Sequence, residues 1–148
     1  MAPSSYRIDR YILNGHDPIP CDDLATWTNW MEGPDRLVRD TQLIDPARNR
    51  VRVCTAFLGV DVNFGDGELI LFETVIFGGP CDWNLYRYCT WEEAQQGHVA
   101  VVERCKARSK EVCSAVSKAQ ELAQRTVKKA SHVAITSLIE RSFKTNCH

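Results

Sequence analysis

The sequence predicts an α+β fold: an antiparallel sheet of four to five strands, one short tryptophan-bearing helix and a long C-terminal helical region. Three observations support this prediction. Segments 51–58 and 69–77 are rich in β-branched and aromatic residues and are bounded by glycines, which is typical of strands. Residues 90–93, Thr-Trp-Glu-Glu, have the pattern of a helix capping box. Beyond residue 100, apolar residues recur mostly at steps of three and four, as in a helix.

The N-terminal part is predicted to form a hairpin and the short helix. A strand over 6–13 leads into an Asn-Gly pair at 14–15, which favours a tight type I′ turn. The returning arm, 16–20, contains two prolines that cannot donate to a ladder, so it is expected at an edge. An aspartate-capped helix over 22–32 follows, and its two tryptophans fall on one face that is expected to pack in the core.

The central segments are predicted to form the sheet. Residues 37–44 and 51–58 flank a turn sequence and are expected to pair as an antiparallel hairpin. Segment 69–77 supplies a third strand, and residues 85–88 supply a short fourth one. Both alternating sets of 69–77 are apolar except for Glu73, which predicts a central strand that is covered on both sides.

Glu73 is therefore an anomaly. A buried carboxylate is costly unless it is paired, and an arginine such as Arg52 or Arg87 is the natural partner. The pair could be structural, or Glu73 could be a carboxylate that grips a ligand.

Composition limits the class of protein. The chain has 148 residues, of which 44% are hydrophobic and 25% charged, as in ordinary globular proteins. Its net charge of −1 argues against general nucleic-acid binding, and no run of 18 apolar residues predicts a membrane span. The first residues lack the apolar core of a signal peptide, so we expect a cytoplasmic protein. The seven cysteines are then expected to be free thiols.

Charge and helical pattern together divide the chain into a core domain over 1–105 and a helical extension over 106–148. Residues 1–90 contain 8 arginines, no lysine and 13 acidic residues, whereas residues 91–148 contain 10 basic and 6 acidic residues. The basic excess is either a solvated helical face or an element that meets an acidic surface. The extension either folds back as a hairpin, near Ser109 or within 114–117, or pairs with another copy. We favour a homo-oligomer formed through 106–148.

A ligand-binding surface is predicted at the glycine-rich loop over 59–67 and the turn over 78–83. Aromatic side chains there could stack on a base while an arginine grips a phosphate. The alternative is two ordinary loops whose aromatic residues cover the edge of the core. The candidate ligand-binding residues are Arg52, Asn63, Phe64, Glu73, Trp83, Arg87 and His98.

The sequence shows no outright catalytic or metal-binding pattern, and we predict no cofactor. It has no Gly-x-Ser-x-Gly, no phosphate loop and no His-x-x-x-His. Cys89, His98 and Glu73 form the one nucleophilic set that we considered for a small enzyme. His98 is otherwise expected to be a part-buried helix histidine with satisfied hydrogen bonds.

FLGVDVNFGDGELILFETVIFGG, followed by RYCTWEEAQQGH, resembles a family of small, functionally uncharacterised proteins of phages and prophages, over about residues 11–104. The resemblance implies a phage accessory role, in counter-defence or host takeover. We therefore expect a non-catalytic protein that binds and blocks or sequesters a host component, either a host protein or a nucleotide-like ligand. A virion or assembly component is a further alternative. Residues 106–148 extend beyond the usual end of the family, so its oligomeric state does not transfer.

Overall fold

The computed structural model describes residues 9–63 and 67–145. The chain divides into two compact units, Met1–Ser109 and Lys110–His148. The first unit contains two antiparallel sheets, of two and four strands, together with a short helix that carries two tryptophans. A long helix lies at the C-terminal end of the chain. The predicted α+β class is thereby confirmed.

The N-terminal hairpin forms a sheet of its own. Strands β1 (Tyr11–Asn14) and β2 (Asp17–Pro20) pair antiparallel and are not part of the four-stranded sheet. Gly15 has a φ of 63°, which is the left-handed conformation that the predicted turn requires. The predicted first strand began at residue 6; β1 begins at Tyr11, and residues 6–8 lie outside the described residues.

Helix α1 (Leu24–Glu32) begins where an aspartate cap was predicted. The carboxylate of Asp23 accepts a hydrogen bond of 2.8 Å from the backbone N–H of Thr26. Trp30 packs edge-on against Phe57, and the indole N–H of Trp27 donates to the carbonyl oxygen of Gly59. The expected packing of this face in the core is met only in part: Trp30 packs at the edge of the core while partly buried, Trp27 contacts the loop at Gly59, and no residue of the helix is fully buried.

The four-stranded sheet has the order β3-β4-β5-β6, and every neighbouring pair is antiparallel. Its strands are β3 (Leu37–Ile44), β4 (Arg50–Phe57), β5 (Phe72–Phe77) and β6 (Leu85–Tyr88). The predicted strand over 69–77 is shorter than expected, because its first three residues belong to the loop that enters β5. At the other end of β5, Gly78 (φ 82°) faces the carbonyl oxygen of Arg50 so closely that no Cβ fits between them.

Helix α2 (Trp91–Thr145) begins with the capping box expected from the sequence. The hydroxyl of Thr90 accepts from the backbone N–H of Glu93, and the Glu93 carboxylate accepts from the N–H groups of Thr90 and Cys89. The first turns of α2 pack on one face of the sheet. The buried residues of the two resulting core clusters are Leu13, Val51, Val53, Phe57, Leu71, Phe72, Ile76, Cys81, Trp91, Ala94, Val101, Val102 and Cys105.

The opposite face of the sheet, which we call the open face, is not covered by any described element of the first unit. Alternation in β4 and β5 places Arg52, Cys54, Glu73, Val75 and Phe77 on it, and none of these side chains is fully buried. β5 lies between two other strands, as a central strand should. The prediction that both of its faces are covered is nevertheless wrong, because α1 and α2 both pack on the same side of the sheet.

The second unit is helical from Lys110 to Thr145. Residues 114–117, one of the two positions expected for a hairpin, are helical, so this unit does not fold back there; Ser109, the other position, is helical as well. Its apolar side chains between residues 110 and 141 are exposed or, at Cys113, partly exposed. Among the described residues, no helix has the length and apolar character needed to cross a membrane.

Candidate functional site

His98 is buried between α2 and the sheet and is held by threonines from two strands. Its Nδ1 lies 2.7 Å from the hydroxyl of Thr55, and its Nε2 lies 2.8 Å from the hydroxyl of Thr41. Thr55 is in turn hydrogen-bonded to the hydroxyl of Thr74 on β5. Both ring nitrogens therefore have partners, and only 1% of the residue is exposed. The geometry matches the expectation of a satisfied histidine, not that of a ligand-binding one.

The electrostatics of His98 favour the neutral imidazole. Burial lowers the pKa of His98, and the positive charge of Arg39 lowers it further, while Asp40 opposes them. A neutral imidazole has one N–H donor and one acceptor nitrogen, which suits two hydroxyl partners that can each donate or accept. The side chain thus joins three strands to the helix without carrying a charge into the core.

Glu73 lies on the open face and forms an ion pair with Arg87. Its Oε2 accepts a hydrogen bond of 3.0 Å from Nε of Arg87, which is the residue directly opposite on β6. The other candidate arginine, Arg52, is engaged by Asp40 on β3 through both carboxylate oxygens, at 2.8–3.1 Å. This contact lowers the pKa of Asp40, mainly through the hydrogen bonds from Arg52. Both guanidinium groups are therefore already paired with carboxylates.

Cys89, His98 and Glu73 do not form a catalytic set. Glu73 is on the open face, whereas His98 contacts the opposite face through Thr55 and Thr74. The pKa of the Cys89 thiol is raised, first by burial and then by the carboxylate of Glu68, which disfavours the thiolate nucleophile. The sheet thus separates the carboxylate from the imidazole, which corrects the enzyme alternative drawn from the sequence.

The predicted surface made of the 59–67 loop and the 78–83 turn is also wrong as a single site. The loop precedes β5 and the turn follows it, so they lie at opposite ends of a six-residue strand. At ~3.3 Å per residue this is a separation of about 20 Å. Asn63 stabilises the loop, because its side-chain amide donates to the carbonyl oxygen of Glu68. Phe64 lies outside the described residues.

Trp83 is the most exposed of the predicted site residues with a described side chain, at 70%. Its backbone is left-handed (φ 63°), a conformation that is unfavourable for a bulky side chain. Its N–H donates to the carbonyl oxygen of Ile76 at 2.8 Å, and its ring packs edge-on against Phe77 with centroids 5.6 Å apart. The turn therefore holds a large aromatic side chain in water next to the open face.

A groove of about 700 Å³ lies beside Phe77 at the same end of the sheet. Its lining combines Ile44, which is 65% exposed, with the polar side chains of Gln42, Arg50 and Arg52. Leu85 adds another half-exposed apolar side chain on β6. Sequence reasoning missed Ile44, Phe77 and Leu85 because it assigned β5 two covered faces. A signal for the exposed face was available in β4, where apolar side chains on one face alternate with a set on the other face that includes the charged Arg52.

The residues that the structure brings together are therefore Arg52 and Trp83, both near the Phe77 end of β5, with the groove beside them. Glu73 and Arg87 lie at the other end of the same face, and His98 lies behind the sheet. In the described parts of the chain, no group of three or more His, Cys, Asp or Glu residues is placed to hold a metal ion.

Comparison with known proteins found no match: no family model, no curated protein and no solved structure matches this chain.

Proposed function

We propose that this protein is a non-catalytic binding protein of phage or prophage origin, which docks a host protein on its open face in the host cytoplasm and so blocks or sequesters it. The observation that carries the proposal is the exposed apolar surface around the groove, formed by Ile44, Phe77, Trp83 and Leu85. The phage origin is supported by the sequence resemblance alone.

The state of the reactive side chains supports binding over catalysis. His98 is buried and hydrogen-bonded on both nitrogens, and the pKa of Cys89 is raised. Glu73 is held by Arg87. A general base must reach its substrate, and a nucleophilic cysteine needs a stable thiolate. Neither condition is met by these residues.

The shape and charge of the open face favour a protein over a nucleotide. A phosphate needs available cations, and two arginines on this face, Arg52 and Arg87, are each paired with a carboxylate, while Arg50 lines the groove. Protein interfaces instead depend on a few large anchors, with tryptophan and arginine enriched among them. Trp83 has this character, since its backbone is held in place before any partner arrives.

The proposal is tested by affinity capture from a bacterial host lysate with matched variants. Ile44→Asp places a charge in the groove, and Trp83→Asn removes the aromatic anchor. Leu24→Asp is the control: Leu24 is 58% exposed at the start of α1, where an acidic side chain suits the helix dipole. We expect wild type and Leu24→Asp to capture the same host protein, and both open-face variants to lose at least ten-fold in captured amount.

Two outcomes would reject it. Capture that is equal for wild type and both open-face variants would place the partner on a different surface. Mass spectrometry of ligand retained by the purified protein provides the second test. A nucleotide that co-purifies with wild type but not with Ile44→Asp would show that the groove binds a small-molecule ligand, and the proposal of a host-protein partner would be rejected.

A further inference from the structure

The second unit exposes a helix whose two sides differ sharply in chemistry. At about 100° per residue, every charged residue between 110 and 138 falls within an arc of roughly 100° on one side of the helix. His132 falls in the same arc. The charged residues are Lys110, Glu111, Lys118, Glu121, Arg125, Lys128 and Lys129.

The other side of this helix is apolar and exposed. Over an arc of about 160°, it carries no charged side chain between residues 112 and 138, and its polar residues are Gln120, at one edge, Thr126 and Ser137. Its large residues are 36–66% exposed. We call it the apolar seam, and its members are Val112, Ala115, Val116, Ala119, Leu122, Ala123, Val127, Ala130, Val133, Ala134 and Leu138. Ile135 and Ile139 lie outside it.

The apolar seam repeats every eleven residues. Val116, Val127 and Leu138 form one series, and Val112, Ala123 and Ala134 form a second. Ala119 and Ala130 form a third. Eleven residues in three turns give 3.67 residues per turn, so this repeat keeps one face in line along a helix with little or slightly right-handed supercoiling. The seam is therefore continuous along the unit rather than drifting around it.

We propose that the apolar seam is a self-association surface whose occupant is the same helix of a second copy of this chain. An isolated helix gains little stability in water, and most helices depend on packing of their apolar face. Here that face is exposed along its whole length in the single chain. This interaction is independent of the partner proposed for the open face.

The composition of the apolar seam favours a helix partner over a membrane surface. Helices that lie on membranes typically insert tryptophan, phenylalanine or leucine. Residues 110–141 contain no aromatic residue except His132, and five of the eleven seam residues are alanines. Small side chains bury little area in lipid, but they let two helices approach to the short end of the usual 8–10 Å spacing.

The length of the seam sets the strength of the contact. Residues 110–141 span about 48 Å at 1.5 Å per residue, so two facing strips ~10 Å wide bury roughly 960 Å² in total. This area is somewhat below the ~1,200 Å² of the smaller stable interfaces and is typical of a weaker, reversible contact. We therefore expect association at micromolar concentrations.

Charge placement gives the association a distinctive salt dependence. The unit has an excess of basic residues, so two copies repel each other, but the charges lie on the far side from the seam. Added salt screens this repulsion and leaves apolar burial intact. Association through the seam is expected to persist or tighten between 0.1 and 0.5 M salt. Head-to-tail attraction between basic and acidic parts, or binding to an anionic surface, would weaken.

The test uses the full chain in light scattering at 5–100 µM. Val116→Glu/Val127→Glu places two carboxylates in the middle of the seam. Ser114→Glu/Thr136→Glu adds the same charge on the opposite side of the same helix and serves as the control. We expect wild type and the control to have a multiple of 16.8 kDa, and the seam variant to have the monomer mass.

Three results would overturn the proposal. The first is a wild-type mass of 16.8 kDa at 100 µM. The second is a seam variant that remains as large as wild type, which would place self-association elsewhere. The third is a wild-type monomer that co-sediments with phosphatidylserine vesicles while the seam variant does not, which would assign the seam to a membrane surface.

Discussion

The hydroxyl of Thr55 lies 2.7 Å from Nδ1 of His98, inside the contact between β4 and α2. A second threonine, Thr41, is bonded to the other ring nitrogen. One imidazole thus links the first turns of the helix to the inner face of the sheet, where most other contacts are apolar. The preceding residue, Gly97, lies against the ring of Tyr88. Gly97 therefore leaves room for the ring of Tyr88, and His98 connects the helix to the sheet.

Replacing His98 should destabilise the fold and remove a pH dependence. We expect His98→Leu to lower the free energy of unfolding at pH 7.5 by ~1–3 kcal/mol, because Thr41 and Thr55 lose buried partners. In wild type the folded pKa of His98 is below the unfolded value of ~6.5. The unfolded state therefore binds the proton first, and this contribution is lost as pH falls below about 6.5, at up to ~1.4 kcal/mol per pH unit.

Urea unfolding between pH 5.5 and 7.5 measures this effect. The pKa values of Asp40 and Asp45 are lowered, by Arg52 and Asn49 respectively, so these carboxylates do not titrate in that window. His132→Gln, at an exposed helix position, should keep the wild-type slope. A His98→Leu protein with the same pH slope as wild type would show that His98 is not the group responsible.

Gly97→Ala should destabilise the protein although alanine is the better helix former. The added Cβ would overlap the ring of Tyr88, which is part of the packed core. We expect a cost of ~1–3 kcal/mol from overpacking, against a propensity gain of ~1 kcal/mol. In the Tyr88→Leu background the same substitution should become neutral or stabilising. Thermal unfolding of wild type, the two single variants and the double variant measures this coupling as a double-mutant cycle. If Gly97→Ala changes stability equally in both backgrounds, residue 97 does not contact Tyr88.

Trp83→Asn should leave the free energy of unfolding within ~0.5 kcal/mol of the wild-type value, while it weakens partner capture. Asparagine tolerates the left-handed conformation that Trp83 adopts, and the tryptophan ring is mostly exposed. Relief of backbone strain, of order 1 kcal/mol, offsets the lost contact with Phe77. Urea unfolding checks the stability. A loss above 2 kcal/mol would mean that Trp83 serves packing rather than binding.

Cys105 should resist alkylation until the protein unfolds. Burial, together with the neighbouring Cys81, raises the pKa of the Cys105 thiol to about 11, so very little thiolate exists at pH 8. Cys113 is partly exposed and should react with iodoacetamide at least ten-fold faster. Peptide mass spectrometry after timed labelling measures both sites, and labelling in guanidinium chloride shows that both thiols can react. Equal native rates at Cys105 and Cys113 would contradict the burial.

Local signals in the sequence were sufficient for most elements. The bounds of β3 and β6 were predicted as observed, and the capping box of α2, the Asn14-Gly15 turn and the aspartate cap of α1 all depend on residues within four positions of each other. Caps and turns of this kind form the same local geometry whatever the rest of the protein packs against the segment. This is why the α+β class and the element order could be read before any packing was known.

The candidate site depended on long-range pairing instead. Alternation in 69–77 defined two sets of side chains, but only packing decided which set α2 covers. The strand register decided that Glu73 faces Arg87 while Arg52 faces Phe77 across β4 and β5. The same register separated the two loops by the length of β5 and placed His98 behind the sheet. The alternation of side chains along a strand divides them into two faces, but only tertiary contacts determine what packs on each face.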